Sequence, residues 1–151
     1  MKRTLLLALC CAILVTFGGL KARADDDDDN GLKWKGKHPI AVLKGVFAAD
    51  NGMSGPGAMK GEATLWVKNM SDVTVDGVVI DLELYNGNNG RKVETVTRKV
   101  GEMAAGDKKY ILFKWEVYGA QTLKPRVWVY YNGGGEDPVK FDGEPPIWSG
   151  Q

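Results

Sequence analysis

Few side chains in this sequence have the type and spacing that chemistry needs. His38 is the only histidine. It stands beside Pro39 with no serine or carboxylate spaced to orient it, so it reads as a surface residue rather than a general base. Asp81 and Glu83 lie two residues apart, which on a strand puts both on one face. A glycosidase needs two acids at a set separation. With lysine and arginine plentiful, however, this pair reads as a solvated strand face. The sequence offers no Ser-His-Asp set and no histidine pair, so the reading is non-enzymatic and without a cofactor. Residues 50–61 form a glycine-rich loop that no Gly-Lys-Ser/Thr follows, so Lys60 does not make it a phosphate-binding loop. Met53 and Met59 could give that loop adaptable apolar contacts.

Four other residues have the chemistry of a ligand surface. Arg126, Trp128 and Tyr130 alternate with Val127, Val129 and Tyr131. If the valines face inward, the other three face out, and Trp66 faces out if Leu65 and Val67 face in. Tryptophan and tyrosine together on one sheet face would offer a flat apolar platform for sugar rings. The opposite arrangement, with Trp128 and Tyr130 in the core and the valines outside, is favoured because large exposed patches are uncommon on monomers.

The N-terminus sets the compartment. Lys2-Arg3 precedes an uncharged apolar run at residues 4–20, and Ala22-Arg23-Ala24 follows as a small-x-small exit. This is the pattern of a secretory signal peptide cleaved after Ala24, with no stable membrane span afterwards. Both cysteines, Cys10 and Cys11, lie inside it, so the mature chain has no disulfide, thiol nucleophile or cysteine-bound metal. Cleavage also removes Lys2, Arg3, Lys21 and Arg23, four of the 20 basic residues, so 16 face 19 acidic ones and the net charge becomes −3. That balance argues against a nucleic-acid partner. Residues 25–29 are five consecutive aspartates. Adjacent like charges repel and stay solvated, so residues 25–38 read as a disordered leader. Asp29-Asn30-Gly31 touches the calcium-loop pattern, but no glutamate follows at the required distance.

The remaining 127 residues must position these groups, and their periodicity is that of strands. Residues 40–47 carry apolar side chains on both parities, which fits burial on both faces or a switch between sheets. Ala63, Leu65 and Val67 alternate with Glu62, Thr64, Trp66 and Lys68. Val78, Ile80, Leu82 and Leu84 alternate with Val79, Asp81, Glu83 and Tyr85, and this best strand belongs at the centre of a sheet. The parity change across Asp76-Gly77 predicts a bulge or short turn. After Asn86-Gly87-Asn88-Asn89-Gly90, a turn sequence, residues 92–100 make a weaker strand nearer an edge. Ile111, Phe113, Trp115 and Val117 alternate next, and residues 126–131 form the last strand. Residues 132–151, rich in glycine and proline, read as an extended tail that Phe141 and Trp148 could pin to the body.

The order of parts resembles the FxLYD-type and related immunoglobulin-like domains of exported bacterial proteins. Val67-Lys68-Asn69, Leu82-Glu83-Leu84-Tyr85-Asn86, Gly90 and Ala105-Gly106-Asp107 before Phe113 carry the resemblance. Leu82 stands where that motif has phenylalanine, and Asn86 where it has aspartate. The likeness spans about residues 60–117. It implies an immunoglobulin-like fold and brings no catalytic residues.

Together these readings predict an all-β chain. Its centre is a single immunoglobulin-like antiparallel β-sandwich of about seven strands over residues 39–131, preceded by a signal peptide. The expected role is a non-catalytic envelope module that binds or scaffolds an envelope or extracellular protein through its strand edges. The alternative is polysaccharide binding through Trp66, Arg126, Trp128 and Tyr130. Asn69-Met70-Ser71 matches a glycosylation sequon, discounted because the signal looks bacterial.

Overall fold

The computed structural model describes residues 36–50, 57–120 and 122–150. The expected signal segment with Ala22 and Ala24, the aspartate run at residues 25–29, and Met53 lie outside them. The described residues contain no helix and eight strands: β1 (Ile40–Asp50), β2 (Ala58–Asn69), β3 (Val75–Asn86), β4 (Lys92–Met103), β5 (Lys108–Tyr118), β6 (Leu123–Tyr131), β7 (Val139–Asp142) and β8 (Trp148–Ser149). They form two four-stranded sheets, ordered β5-β2-β1-β8 and β4-β3-β6-β7. Every pair is antiparallel except β1 with β8. Hairpins join β1 to β2, β3 to β4 and β6 to β7, and every other connection crosses between sheets. This is the wiring of an immunoglobulin-like sandwich.

Alternation decides what lies between the sheets. Ala63, Leu65 and Val67 of β2 meet Val78, Ile80, Leu82 and Leu84 of β3 in the core, with Phe113 of β5 and Val127 and Val129 of β6. All are fully excluded from water. As the pattern requires, β3 is an interior strand and β4 an edge. The register of β3 against β4 slips on either side of Val78, so the parity change at Gly77 is a bulge.

Three expectations change. Residues 58–61 are not loop: β2 begins at Ala58, and Gly61 pairs with Ala49 and Trp115. The glycine there serves close approach, since a Cβ on Gly61 would lie 2.1 Å from the Ala48 carbonyl oxygen and 2.6 Å from the Trp115 ring. The strand count is eight rather than about seven, because the segment after Tyr131 is not a tail. β7 extends the second sheet, and β8 lies parallel on β1, where the Gly45 amide donates to the Ile147 carbonyl (3.0 Å). A Cβ on Gly45 would sit 2.5 Å from the Trp148 ring, so the bare backbone is what admits that indole. Finally, His38 is not a bare surface residue. Its ring stacks on Phe141 (centroids 4.1 Å apart, planes 6° apart) and its Nδ1 lies 3.2 Å from the Tyr131 hydroxyl.

Among the described residues one polar side chain is fully buried. Asn69 has 0% exposure, and its Nδ2 donates to the Val73, Met103 and Ala104 carbonyls at 2.7, 3.0 and 3.0 Å. Its Oδ1 accepts from the Ser71 amide and hydroxyl. Asn69 thereby ties the β2–β3 crossover to the β4–β5 turn, and it meets the rule that buried polar groups be satisfied. The same burial gives a structural reason why the folded domain offers no glycan acceptor at this sequon.

The free edges β4 and β5 lie on the same side of the sandwich, and each is blunted by a cation from the other. Arg98 pairs in register with the inward-facing Ile80, and its Nε donates to the Leu112 carbonyl of β5 (3.0 Å). Lys109 shares the inward parity of Ile111 and donates to the Glu102 carbonyl of β4 (2.6 Å). Inward-pointing charge is a known defence of a strand edge against pairing with another chain. Replacing both, Arg98→Thr with Lys109→Thr, is expected to make the protein associate as concentration rises. Sedimentation profiles matching wild type over the same range would show the latch to be unimportant.

Candidate functional site

The outer face of the β4-β3-β6-β7 sheet collects the groups with binding chemistry. With Val127 and Val129 buried, Arg126, Trp128 and Tyr130 project outward, which overturns the favoured placing of the two aromatics in the core. The reason is the second sheet itself: β6 lies beside β3, and its valines face the same core as Ile80 and Leu82. Arg126 is exposed, while Trp128 and Tyr130 are half-buried. Register sets Tyr130 beside Val79 and Lys140, and Trp128 beside Asp81 and Asp142.

Glu83 organises this face. Only 8% exposed, it accepts from the Tyr85 hydroxyl (2.5 Å), the Lys92 ammonium (2.9 Å) and the Trp128 indole N–H (3.0 Å). Burial pushes its pKa up, but the bonds from Tyr85, Lys92 and Trp128 outweigh burial and hold it at about 2, against an ordinary 4.5. Glu83 is therefore not the solvated half of an acid pair. It has no proton to donate near neutral pH, which a general acid must. Its partner in sequence, Asp81, accepts from the Thr97 hydroxyl (2.6 Å).

A depressed carboxyl pKa stabilises the fold above the unfolded-state value, and that stability is lost as pH falls towards the folded-state value. Here the window runs from about pH 4.5 down to about 2. The contribution is about 2–3 kcal/mol, discounted because Lys92 is half exposed and screened. Glu83→Gln should lose that amount at pH 7 and show a shallower fall of stability on acidification, measured by urea denaturation. Acid profiles of equal steepness would contradict it.

Cations lie over the aromatics. The Lys140 ammonium is 4.4 Å from the Trp128 ring centroid and 5.2 Å from that of Tyr130, and the Arg126 guanidinium is 5.3 Å from Trp128. The Tyr130 hydroxyl holds the Lys140 pKa above its ordinary value. Arg126 also pairs with Asp142 at 3.4 Å. Beside Tyr130 the face dips into an open depression of about 470 Å³, bordered by Gly77, Asp81, Thr97, Asn132 and Pro138.

Trp66 is not part of this group. It projects from β2 on the outer face of the other sheet, where it meets Tyr110 edge-on (5.1 Å, 80°) under the Lys44 ammonium. The four residues expected on one platform are thus split between two faces. Alternation fixes which side of a strand is inward but not which sheet the strand joins. Sequence reasoning missed Glu83 and Lys140 as partners of Trp128, and Lys92 as the partner of Glu83, because they come from other strands. Among the described residues no cluster of three or more His, Cys, Asp or Glu is placed to hold a metal.

Fold and face together define an immunoglobulin-like β-sandwich with aromatic and charged groups on one sheet surface. A β-glucuronidase from glycoside hydrolase family 2 superposes with a TM-score of 0.52 at 10% identity, over 69% of this chain and 12% of the enzyme. A GH20 exo-β-N-acetylglucosaminidase from Vibrio harveyi matches with a TM-score of 0.42 at 12% identity, over 74% of this chain and 18% of the enzyme. At such identities the likeness concerns the fold alone. The chain spans less than a fifth of either enzyme's length. No protein-family model and no curated protein matches the sequence.

Proposed function

We propose that this is an exported, non-catalytic β-sandwich module that binds carbohydrate through the outer face of the β4-β3-β6-β7 sheet. The observation that carries this reading is the inward packing of Val127 and Val129, which turns Arg126, Trp128 and Tyr130 outward beside the depression at Asp81 and Asn132. Sugar rings present apolar C–H faces to aromatics and hydroxyls to carboxylate and amide groups, and this face has both. The strand-edge route to a protein partner is weaker, because Arg98 and Lys109 blunt β4 and β5. The signal-peptide pattern supports export.

A titration of the protein against a panel of cell-wall and plant polysaccharides is expected to give saturable binding to at least one of them. Trp128→Ala should then remove about 2 kcal/mol, the size of an interface anchor. A flat response across the panel would sink the reading.

A second reading rests on a different surface. Tyr110, Leu112 and Tyr118 of β5 are 61%, 36% and 71% exposed, beside Trp66. Such exposed apolar groups suit a protein partner on the opposite face of the sandwich.

A further inference from the structure

The two rings of the ligand face are already covered. The Lys140 ammonium stands 4.4 Å from the Trp128 ring centroid and 5.2 Å from that of Tyr130. A sugar carbon stacked on such a ring sits about 3.5–4 Å above it, in the layer this cation takes. Trp128 cannot turn aside without losing the bond from its indole N–H to Glu83 (3.0 Å), a carboxylate that Tyr85 and Lys92 hold in turn. Of the two cations over Trp128, Arg126 is tied to Asp142 by an ion pair, whereas Lys140 forms none among the described residues. Lys140 is exposed and projects from β7, a four-residue strand at the edge of the sheet. The part of this face that can move is therefore its lysine.

We infer that Lys140 is the residue that sets affinity and selectivity here: a glycan stacks on Trp128 and Tyr130 only by displacing its ammonium from them. The inference rests on the carbohydrate reading of the same face. Displacement costs the same for every ligand, so a ligand has to offset it by covering both rings. Trp128 and Tyr130 lie two residues apart on β6, a span of about 7 Å along the strand. A chain of sugars lying along β6 reaches both, and a single sugar does not. The chain is a neutral one, because five carboxylates, Asp76, Asp81, Glu83, Glu102 and Asp142, answer the five cations on the outward positions of this face. Arginine at position 140 would close the face further, since a planar guanidinium stacks on aromatic rings better than an ammonium does.

The test titrates the purified full chain, Lys140→Ala and Lys140→Arg calorimetrically with cellohexaose, xylohexaose, mannohexaose and chitohexaose, and with the matching monosaccharides. Lys140 lies outside the core, so both variants keep the fold. At least one hexaose is expected to bind about fivefold more tightly to Lys140→Ala than to wild type, and at least about threefold more weakly to Lys140→Arg. Hexaose binding to Lys140→Ala that is equal to or weaker than wild type would overturn the inference and leave carbohydrate binding standing. So would a monosaccharide that binds as tightly as its hexaose. A second readout is the Lys140 Cε proton resonance. Ring currents displace it in the free protein, and it should return to the ordinary lysine position as the hexaose saturates. A resonance that stays displaced in the complex would mean that the ammonium never leaves the rings, and would also reject the inference. Silence of wild type and both variants towards every sugar would reject the carbohydrate reading itself.

Discussion

Trp115→Ala is expected to lower stability by about 3–4 kcal/mol. The indole is 4% exposed and lies parallel to Phe47, ring centroids 5.3 Å apart and planes 7° apart. Gly61 makes room for it against β2. The two rings belong to strands on either side of β2 in one sheet. Two details set the size. The ring borders an open depression of about 430 Å³ lined in part by Ala48, Lys60 and Lys114, so water can enter the space left behind. In addition, the indole N–H is buried without an acceptor, and that unmet donor already subtracts about 1–3 kcal/mol from what the ring contributes. Trp115→Phe removes the donor and keeps most of the apolar area, so it should be far milder than alanine. For a domain of this size the alanine variant should melt more than about 10 °C below wild type. A drop of a few degrees, or phenylalanine as damaging as alanine, would contradict this account.

Removing the Asn69 side chain should be as severe, by another route. Asn69→Ala leaves the Met103 and Ala104 carbonyls without their side-chain donor and the Ser71 amide without its acceptor, while the Ser71 hydroxyl keeps its bond to the Val73 carbonyl. Each unsatisfied buried group costs about 1–3 kcal/mol, partly recovered where Ser71 reaches water, so about 3–4 kcal/mol is expected. The loss is local at first. The Gly106 amide, which donates to the Asn69 carbonyl, and the Asn69 amide, which donates to Asp107, should exchange hydrogen faster in Asn69→Ala. Unchanged exchange there with a small loss of stability would mean that the side chain is dispensable.

These two positions differ in how legible they were. Trp115 sits in strict alternation with Ile111 and Phe113, so its burial follows from the period of a strand. Asn69 stands in Asn-Met-Ser-Asp, a sequence that marks a turn equally well whether the asparagine faces water or the core. Much of the fold shared the first kind of signal. The aliphatic face of β3, the bulge at Gly77 and the edge position of β4 all follow from local patterns. What failed was non-local. β8 is two residues long and pairs across about a hundred positions of sequence, with no period to betray it. Nothing within residues 78–85 says that Glu83 will meet an indole from β6. Likewise Trp66 and Trp128 share an outward parity yet serve opposite faces, because sheet membership is set by the crossovers rather than by either strand.

The parallel seating of β8 on β1 has a mechanical consequence. Tension applied between the two ends of the domain draws β1 backward along its own axis and β8 forward along the same axis. The contact is therefore sheared, so the Gly45–Ile147 bond, the Ser149 hydroxyl near the Gly45 carbonyl and the Trp148 ring over Gly45 are loaded together and not peeled one at a time. Forced unfolding is governed by the barrier to rupture rather than by equilibrium stability. Two residues at the end of the sequence thus act as a clasp, and the load that the sandwich withstands depends on a strand that contributes little to its core.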